Sequence, residues 1–228
     1  MLPRLIEMLE GLQPRLRESR LKPLLQAALV ALLAVITIGC GSGGTKTDAR
    51  AAVVAAGPDP AAIAAYGQAL ATLHGGDEAA AEAKFQSLAQ TWPDYSGPLV
   101  NLAMIKARRG ELEPATALLQ RAVAVCASCA TPWNELGVIQ RQQGRFADAE
   151  QSYLKAIAAD SAYANAYFNL GVLYELYLQR PELALSQYGR FRELQAGDPA
   201  ANEVDKWIVD LTRRTKAVER SAQAEGSR

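Results

Sequence analysis

Cys126-Ala127-Ser128-Cys129 is the one obviously reactive motif in this chain of 228 residues. A C-x-x-C pair can exchange a disulfide as a redox catalyst, close as a structural disulfide in an oxidising compartment, or rest as two buried thiols. Catalysis needs a thiolate, which a helix favours at its amino end and disfavours at its carboxyl end. The choice among the three chemistries therefore turns on where helices start and stop around residue 126. His74 is the sole histidine, so a Ser/His/Asp triad would have to be built on it, and beside Gly75-Gly76 it reads as an ordinary helix-terminal residue. That histidine and the two cysteines fall short of the four ligands of a structural zinc site, and no metal or cofactor is expected. Gly39, Gly41 and Gly44 spell G-x-G-x-x-G after an apolar run. A dinucleotide site would need that run to be a strand followed by further strand-helix units, and none follow. Lys46-Thr47 misses the phosphate-loop spacing, because Thr45 separates Gly44 from the lysine.

The elements that would position these residues are set by a 34-residue beat. Leu102, Leu136 and Leu170 fall on it, as do Gly76, Gly110 and Gly144, then Ala81, Ala115 and Ala149, then Phe85, Leu119 and Tyr153. Such a period marks stacked helical hairpins, each too small to bury its own apolar face and each completed by its neighbour. An apolar share of 50% with 7% aromatics suits a globular or solenoid protein rather than a disordered one. Lys+Arg and Asp+Glu are equal at 24, which leaves no overall field to draw nucleic acid. Small residues recur where two helices must approach closely: Ala69, Ala103, Gly137 and Gly171 in the first helices, Ala81, Ala115, Ala149 and Ala184 in the second. Pro98 and Pro132 stand near helix starts, and Pro181 is placed to open the last second helix.

In the unit from Ala130 to Tyr163, Trp133, Leu136, Gly137, Ala149, Tyr153 and Ala156 fall where the tetratricopeptide-repeat family places its W, L, G, A, F and A. The chain resembles that family over residues 62–198, in units 62–95, 96–129, 130–163 and 164–198. The fourth carries Tyr167, Leu170, Gly171 and Tyr174, then gains one residue around Gln179-Arg180-Pro181, so that Ala184 and Tyr188 come one place late. The resemblance implies an all-α fold, a right-handed solenoid of about four hairpins. Val204, Trp207, Ile208 and Leu211 then recur at helical spacing after Asp198-Pro199, predicting a capping helix over 199–216. Residues 217–228 are expected to be a frayed tail.

The resemblance also places a binding groove on the concave face, lined by the first helix of each unit. By register its residues include Tyr66, Leu70, Asn101, Met104, Arg108, Asn134, Val138, Arg141, Asn165 and Asn169. Asparagines can bond an extended backbone through both donor and acceptor, and two arginines could pair with carboxylates. That combination suits a protein tail or peptide segment, with no small-molecule substrate. The lysine-rich clamp of the family's chaperone-tail binders is not reproduced. The same register puts Cys126 at the end of one helix and Thr131-Pro132 at the start of the next, which favours a structural disulfide between Cys126 and Cys129 over redox catalysis.

The segment 1–39 reads as a processing segment, either a signal peptide or a membrane anchor. Arg4, Arg15, Arg17, Arg20 and Lys22 outnumber Glu7, Glu10 and Glu18 there, leaving the remainder mildly acidic. The apolar run Leu24 to Ile38 would span only about 22 Å as a helix, short of a bilayer core of roughly 30 Å. That length suits a signal-peptide hydrophobic region. Gly39-Cys40 followed by a Gly/Ser stretch resembles the lipobox of bacterial lipoproteins, with Thr37 where leucine is usual, and implies lipidation at Cys40. Residues 40–58 would then be a flexible linker. By the same resemblance, Gly41 after the cysteine implies the outer membrane with the repeats facing the periplasm; an uncleaved leader would anchor the chain to the inner membrane instead. The expected function is a non-enzymatic, membrane-tethered scaffold that holds another envelope protein. Two settings fit it: pilus or secretin assembly, and a TonB-type energy-transduction system. The alternative is a periplasmic thiol-redox or chaperone-like factor centred on Cys126 and Cys129.

Overall fold

The computed structural model describes residues 59–226; the leader, the glycine triplet, Cys40 and the whole of the linker lie outside the described residues. Four antiparallel hairpins follow one another: α1 Pro60–His74 with α2 Glu78–Thr91, α3 Ser96–Arg108 with α4 Leu112–Val125, α5 Ala130–Gln142 with α6 Phe146–Ala159, and α7 Ala164–Val172 with α8 Pro181–Leu194. A last helix, α9, spans Pro199–Gly226. No strand occurs among the described residues, and no helix there is long and apolar enough to cross a membrane.

Local chemistry fixes the boundaries. Asp59 accepts from the Ala61 amide at 2.8 Å with Pro60 opening α1, and Asp77 accepts from the Ala80 amide at 3.0 Å to start α2. Gly76, Gly110 and Gly144 turn each hairpin in the left-handed region, with φ of 87°, 78° and 75°. Gln179 takes that place in the fourth hairpin, at φ 53°. The added residue of this unit is not absorbed at Gln179-Arg180-Pro181 alone. The chain widens one turn earlier, where α7 passes into a π-helical turn over Leu173–Tyr177 and the Leu178 amide bonds the Leu173 carbonyl at 3.0 Å.

Within each hairpin a large second-helix side chain lies on a small first-helix residue. Phe85, Leu119, Tyr153 and Tyr188 are fully buried, as are the Ala69 and Ala103 that stand in register with Gly137 and Gly171. The two tyrosines meet glycine. A Cβ built on Gly137 would stand 2.6 Å from the Tyr153 ring, and one on Gly171 equally close to Tyr188. Between hairpins the apolar clusters are continuous: Leu99, Ala103, Leu119, Leu136 and Ile139 make one body from α3, α4 and α5. Polar ties repeat at each joint. Glu82 receives Arg109 and Lys106, Thr116 receives Gln143 at 3.1 Å, and Glu150 receives the Tyr174 hydroxyl at 2.8 Å.

Helix α9 closes the stack. Val204 and Leu211 are buried, and the Trp207 ring packs against Phe168 at 5.8 Å and Tyr188 at 6.1 Å. Arg214 ties it back to Glu175 in the π-helical turn. The helix runs beyond the expected boundary at Lys216. The helix continues to Gly226, since 217–225 hold good helix formers and neither glycine nor proline interrupts them, and its side chains from Lys216 to Gln223 are exposed.

Two stability measurements test this packing. Gly137→Ala is expected to lower the unfolding free energy by about 1–3 kcal/mol through overpacking against Tyr153, and to become close to neutral when introduced into the Tyr153→Leu protein, where the pair matches Ala103 with Leu119. Equal costs in both backgrounds, read from urea midpoints, would show that the ring contact does not set the approach. Gln179→Gly should raise stability by about 0.5–1 kcal/mol by relieving the left-handed backbone, and an unchanged or lower thermal midpoint would contradict it.

Candidate functional site

Of the ten residues expected to line the groove, four bind each other in two pairs. Asn101 Nδ2 donates to the Tyr66 hydroxyl at 2.6 Å and to the Gly97 carbonyl at 3.0 Å. Tyr66 is also held edge-on by Tyr95 and tilted against Phe85. Asn169 Nδ2 donates to Asn134 Oδ1 at 2.9 Å, and both residues are closed off from solvent, at 3% and 2% exposure. The two bonds are equivalent, each joining residues 35 apart across a hairpin joint. At the middle joint the same positions hold Val100 and Glu135, and Glu135 instead accepts from Asn134 within its own helix at 3.4 Å. Sequence reading offered the asparagines to the backbone of a guest. Register shows that Asn101 and Asn169 share one column while Asn134 stands in the adjacent column, facing it across the joint.

Arg108 is likewise engaged. Its guanidinium meets Glu78 at 2.8 Å, and Arg109 bridges Glu78 and Glu82. The Arg108 hydrogen bond holds the Glu78 carboxyl below its ordinary value, against a smaller opposing effect of burial. Met104 is half-buried against the central apolar cluster, Val138 is buried, and Leu70 packs on the first cluster, so all three belong to the core side of the wall. Asn165 is half-buried near the start of α7.

Arg141 is the exception. It stands on α5 one face-repeat beyond Asn134 and Val138, and no carboxylate among the described residues pairs with it. Its Nε meets the Tyr153 hydroxyl at 3.4 Å, an Nη meets the Tyr177 hydroxyl at 3.2 Å, and the guanidinium carbon lies 5.5 Å from the Tyr177 ring centroid. Phe146 packs tilted against that ring at 5.0 Å. Burial works against the arginine's charge, but the two phenols outweigh it and hold its pKa above the ordinary value. Burial pushes the Tyr153 phenol up to about 12 despite the pull of Arg141. The result is a fixed, partly exposed cation on the inner wall, its orientation set by neutral groups. Sequence reading missed Tyr177 and Phe146. The signal that could have found Tyr177 was the added residue of the fourth unit, which creates the π-helical turn that carries it.

Cys126 caps the end of α4 and Cys129 immediately precedes α5, so the helix-end placement expected for Cys126 holds. Their Cα atoms are 5.4 Å apart with the sulfurs within bonding distance, and the Cys129 amide bonds the Cys126 carbonyl at 3.2 Å. Trp133 Nε1 donates to the Ala127 carbonyl at 2.9 Å, pinning the loop between them. His74 is the exposed last residue of α1. Among the described residues, no three His, Cys, Asp or Glu side chains come together to hold a metal ion.

A tetratricopeptide-repeat family model matches residues 46–96, and a TPR-repeat model matches residues 139–176. Among solved structures the chain is similar to PilF of Pseudomonas aeruginosa, at 21% identity over 72% of each chain with a TM-score of 0.61. It is also similar to the TPR protein TTC0263 of Thermus thermophilus, at 22% identity over 72% of this chain and 86% of that one with a TM-score of 0.57. A third likeness is to the TPR protein YrrB, at 21% identity over 64% of this chain and 75% of that one with a TM-score of 0.51. At these identities the likeness is one of fold. A search of curated proteins finds no match. Four hairpins on a 34-residue period, a small residue under each second-helix anchor, and two matching repeat models place this chain in the tetratricopeptide-repeat family.

Proposed function

We propose that the chain is a non-enzymatic scaffold, tethered to a bacterial envelope membrane through its amino-terminal segment, that holds a segment of another envelope protein on its inner wall. Arg141 carries the reading. A guanidinium fixed by two phenols, with no acid of its own, is poised to accept a carboxylate of a guest, and a charge-assisted bond of this kind contributes about 1.5–3 kcal/mol. Among the structural neighbours, YrrB is described as having an unusual peptide-binding site, and a peptide-like guest suits the wall here. The tether, the outer-membrane address and lipidation at Cys40 rest on the lipobox-like sequence. Pilus or secretin assembly and a TonB-type system are the two settings that such a scaffold would serve.

In an oxidising periplasm Cys126 and Cys129 form a disulfide that staples the joint between the second and third hairpins. The carboxyl-end position of Cys126 disfavours a thiolate there, so a thiol-redox function, the alternative reading, would have to start from Cys129 at the amino cap of α5.

The inner-wall reading is checked by crosslinking the full-length protein in its membranes and recovering the partner. Arg141→Gln should reduce recovery about tenfold, a change of about 1.4 kcal/mol, whereas Arg108→Gln should leave it unchanged because Glu78 already occupies that cation. Undiminished capture by Arg141→Gln, or equal loss from both, would remove Arg141 from the site. For the staple, the expected outcome of thiol labelling in unreduced protein from the native compartment is no label at either Cys126 or Cys129; two labelled thiols would exclude both the disulfide and the oxidising address.

A further inference from the structure

The joint between the first two hairpins holds a half-open cavity of about 270 Å³. Leu99, Leu102 and Leu118 form its floor, and Gln86, Gln90 and Arg121 stand at its mouth. The repeat register explains why it is there. Leu99 precedes Trp133 by one full repeat, and Trp133 precedes Tyr167 by another. At the second joint the Trp133 ring lies beneath Lys155, whose Nζ is 4.4 Å from the ring centroid. At the third joint Arg190 pairs with Glu193 at 2.8 Å and also reaches Tyr167. Arg121 is the counterpart of those two cations, one repeat before Lys155. No acidic or aromatic side chain among the described residues meets it. Two joints thus supply both an aromatic ring and a cation from the chain itself, while the first supplies the cation and, in place of the ring, an apolar cavity.

We propose that this cavity receives an aromatic side chain, up to the size of tryptophan, from an extended segment of a partner protein. Three leucine side chains give the ring an apolar bed, and an apolar cavity of about 150 Å³ is known to suffice for benzene. Arg121 selects a ring over an aliphatic group of similar volume, because a guanidinium is drawn to the face of a π-system. Gln86 and Gln90 lie one turn apart on α2 and present amide donors and acceptors to the backbone on either side of the aromatic residue. Lys106, at the same mouth, is already held by Glu82 and Glu111 and adds no free charge. This surface is built from α2, α3 and α4, shares no residue with the Arg141 site on α5, α6 and the π-helical turn, and does not rest on the inner-wall reading.

The test is a titration of the full-length chain, labelled at leucine methyls, with three probes: acetyl-Gly-Trp-Gly-amide, acetyl-Gly-Leu-Gly-amide and 3-methylindole. The Trp peptide should shift the Leu99, Leu102 and Leu118 methyls saturably, and bind at least about threefold more tightly than either other probe. Leu99→Trp, which installs the third unit's residue and fills the cavity, should abolish these shifts while leaving the circular dichroism unchanged and the thermal midpoint at least as high. Arg121→Gln should weaken the Trp peptide about two- to fivefold without moving the midpoint. No saturable shift at these methyls overturns the proposal, as does equal binding of the Trp and Leu peptides. Equal binding of 3-methylindole and the Trp peptide overturns the protein segment as occupant, and unchanged binding to Leu99→Trp overturns the cavity as the site.

Discussion

Every hairpin closes where one large side chain of its second helix lies on a first-helix residue that carries no more than a methyl group. This contact sets the separation of the two helices, and the rest of the stack inherits its spacing. Because the anchor consumes the only interior a two-helix unit has, the remaining apolar side chains must face along the stack. They are buried only when another hairpin arrives, which is why Leu99, Leu119, Leu136 and Ile139 belong to one body although they come from three helices. The same logic makes α9 obligatory. Phe168, Tyr188 and Phe191 form an aromatic end wall, and Trp207 is the ring that covers it. The choice between alanine and glycine under the anchor then follows from the anchor itself: Tyr153 and Tyr188 come so close that the Cβ had to be removed.

Polar residues on the inner wall serve this stacking before they serve any guest. A buried amide is costly unless bonded, and the Asn134–Asn169 bond satisfies both partners while fixing the offset between the third and fourth hairpins. Tyr66 and Asn101 do the same at the first joint. The ties on the other side of the joints show one geometry expressed in different chemistry. Glu82 with Arg109 is replaced one repeat later by Thr116 with Gln143, an ion pair by a neutral pair. Neighbouring joints are therefore alike in shape and unlike in charge.

The fold was legible in the sequence because periodicity survives without knowledge of any contact: the turn glycines, the small residues and the anchors all repeat on one count. The inner wall was much less so. A 34-residue count locates the asparagines on the correct side of the stack, but it does not reveal that columns one residue apart face each other across the joint. The bonds run between residues 35 apart, so Asn134 and Asn169 read as two free amides until the offset of adjacent hairpins is known. Arg108 and Arg141 looked equivalent for a related reason, since both fall near the end of a first helix. The end of α9 was not legible either, because its second half is exposed and carries no apolar periodicity, and an uninterrupted run without glycine or proline lets the helix continue to Gly226.

What separates Arg141 from Arg108 can be traced to two positions. Arg108 finds Glu78 at the first residue of α2, but the counterpart of Glu78 at the start of α4 is Leu112, and the acid beside it, Glu113, accepts from Gln143 at the end of α5 rather than from Arg141. On the following side, the added residue of the fourth unit turns the helix wide over Leu173–Tyr177 and delivers the Tyr177 ring and hydroxyl to the guanidinium. A strictly periodic chain would have had neither feature. The removal of an acid leaves the charge unneutralised, and the insertion keeps it oriented without neutralising it. Loss of a carboxylate alone would leave a mobile arginine at the surface, and gain of a tyrosine alone would leave an internal ion pair. Only the two departures together produce a preorganised cation facing the inner wall, and it is in departures from the repeat, at Arg141 as at Leu99, that the stack has room for something other than itself.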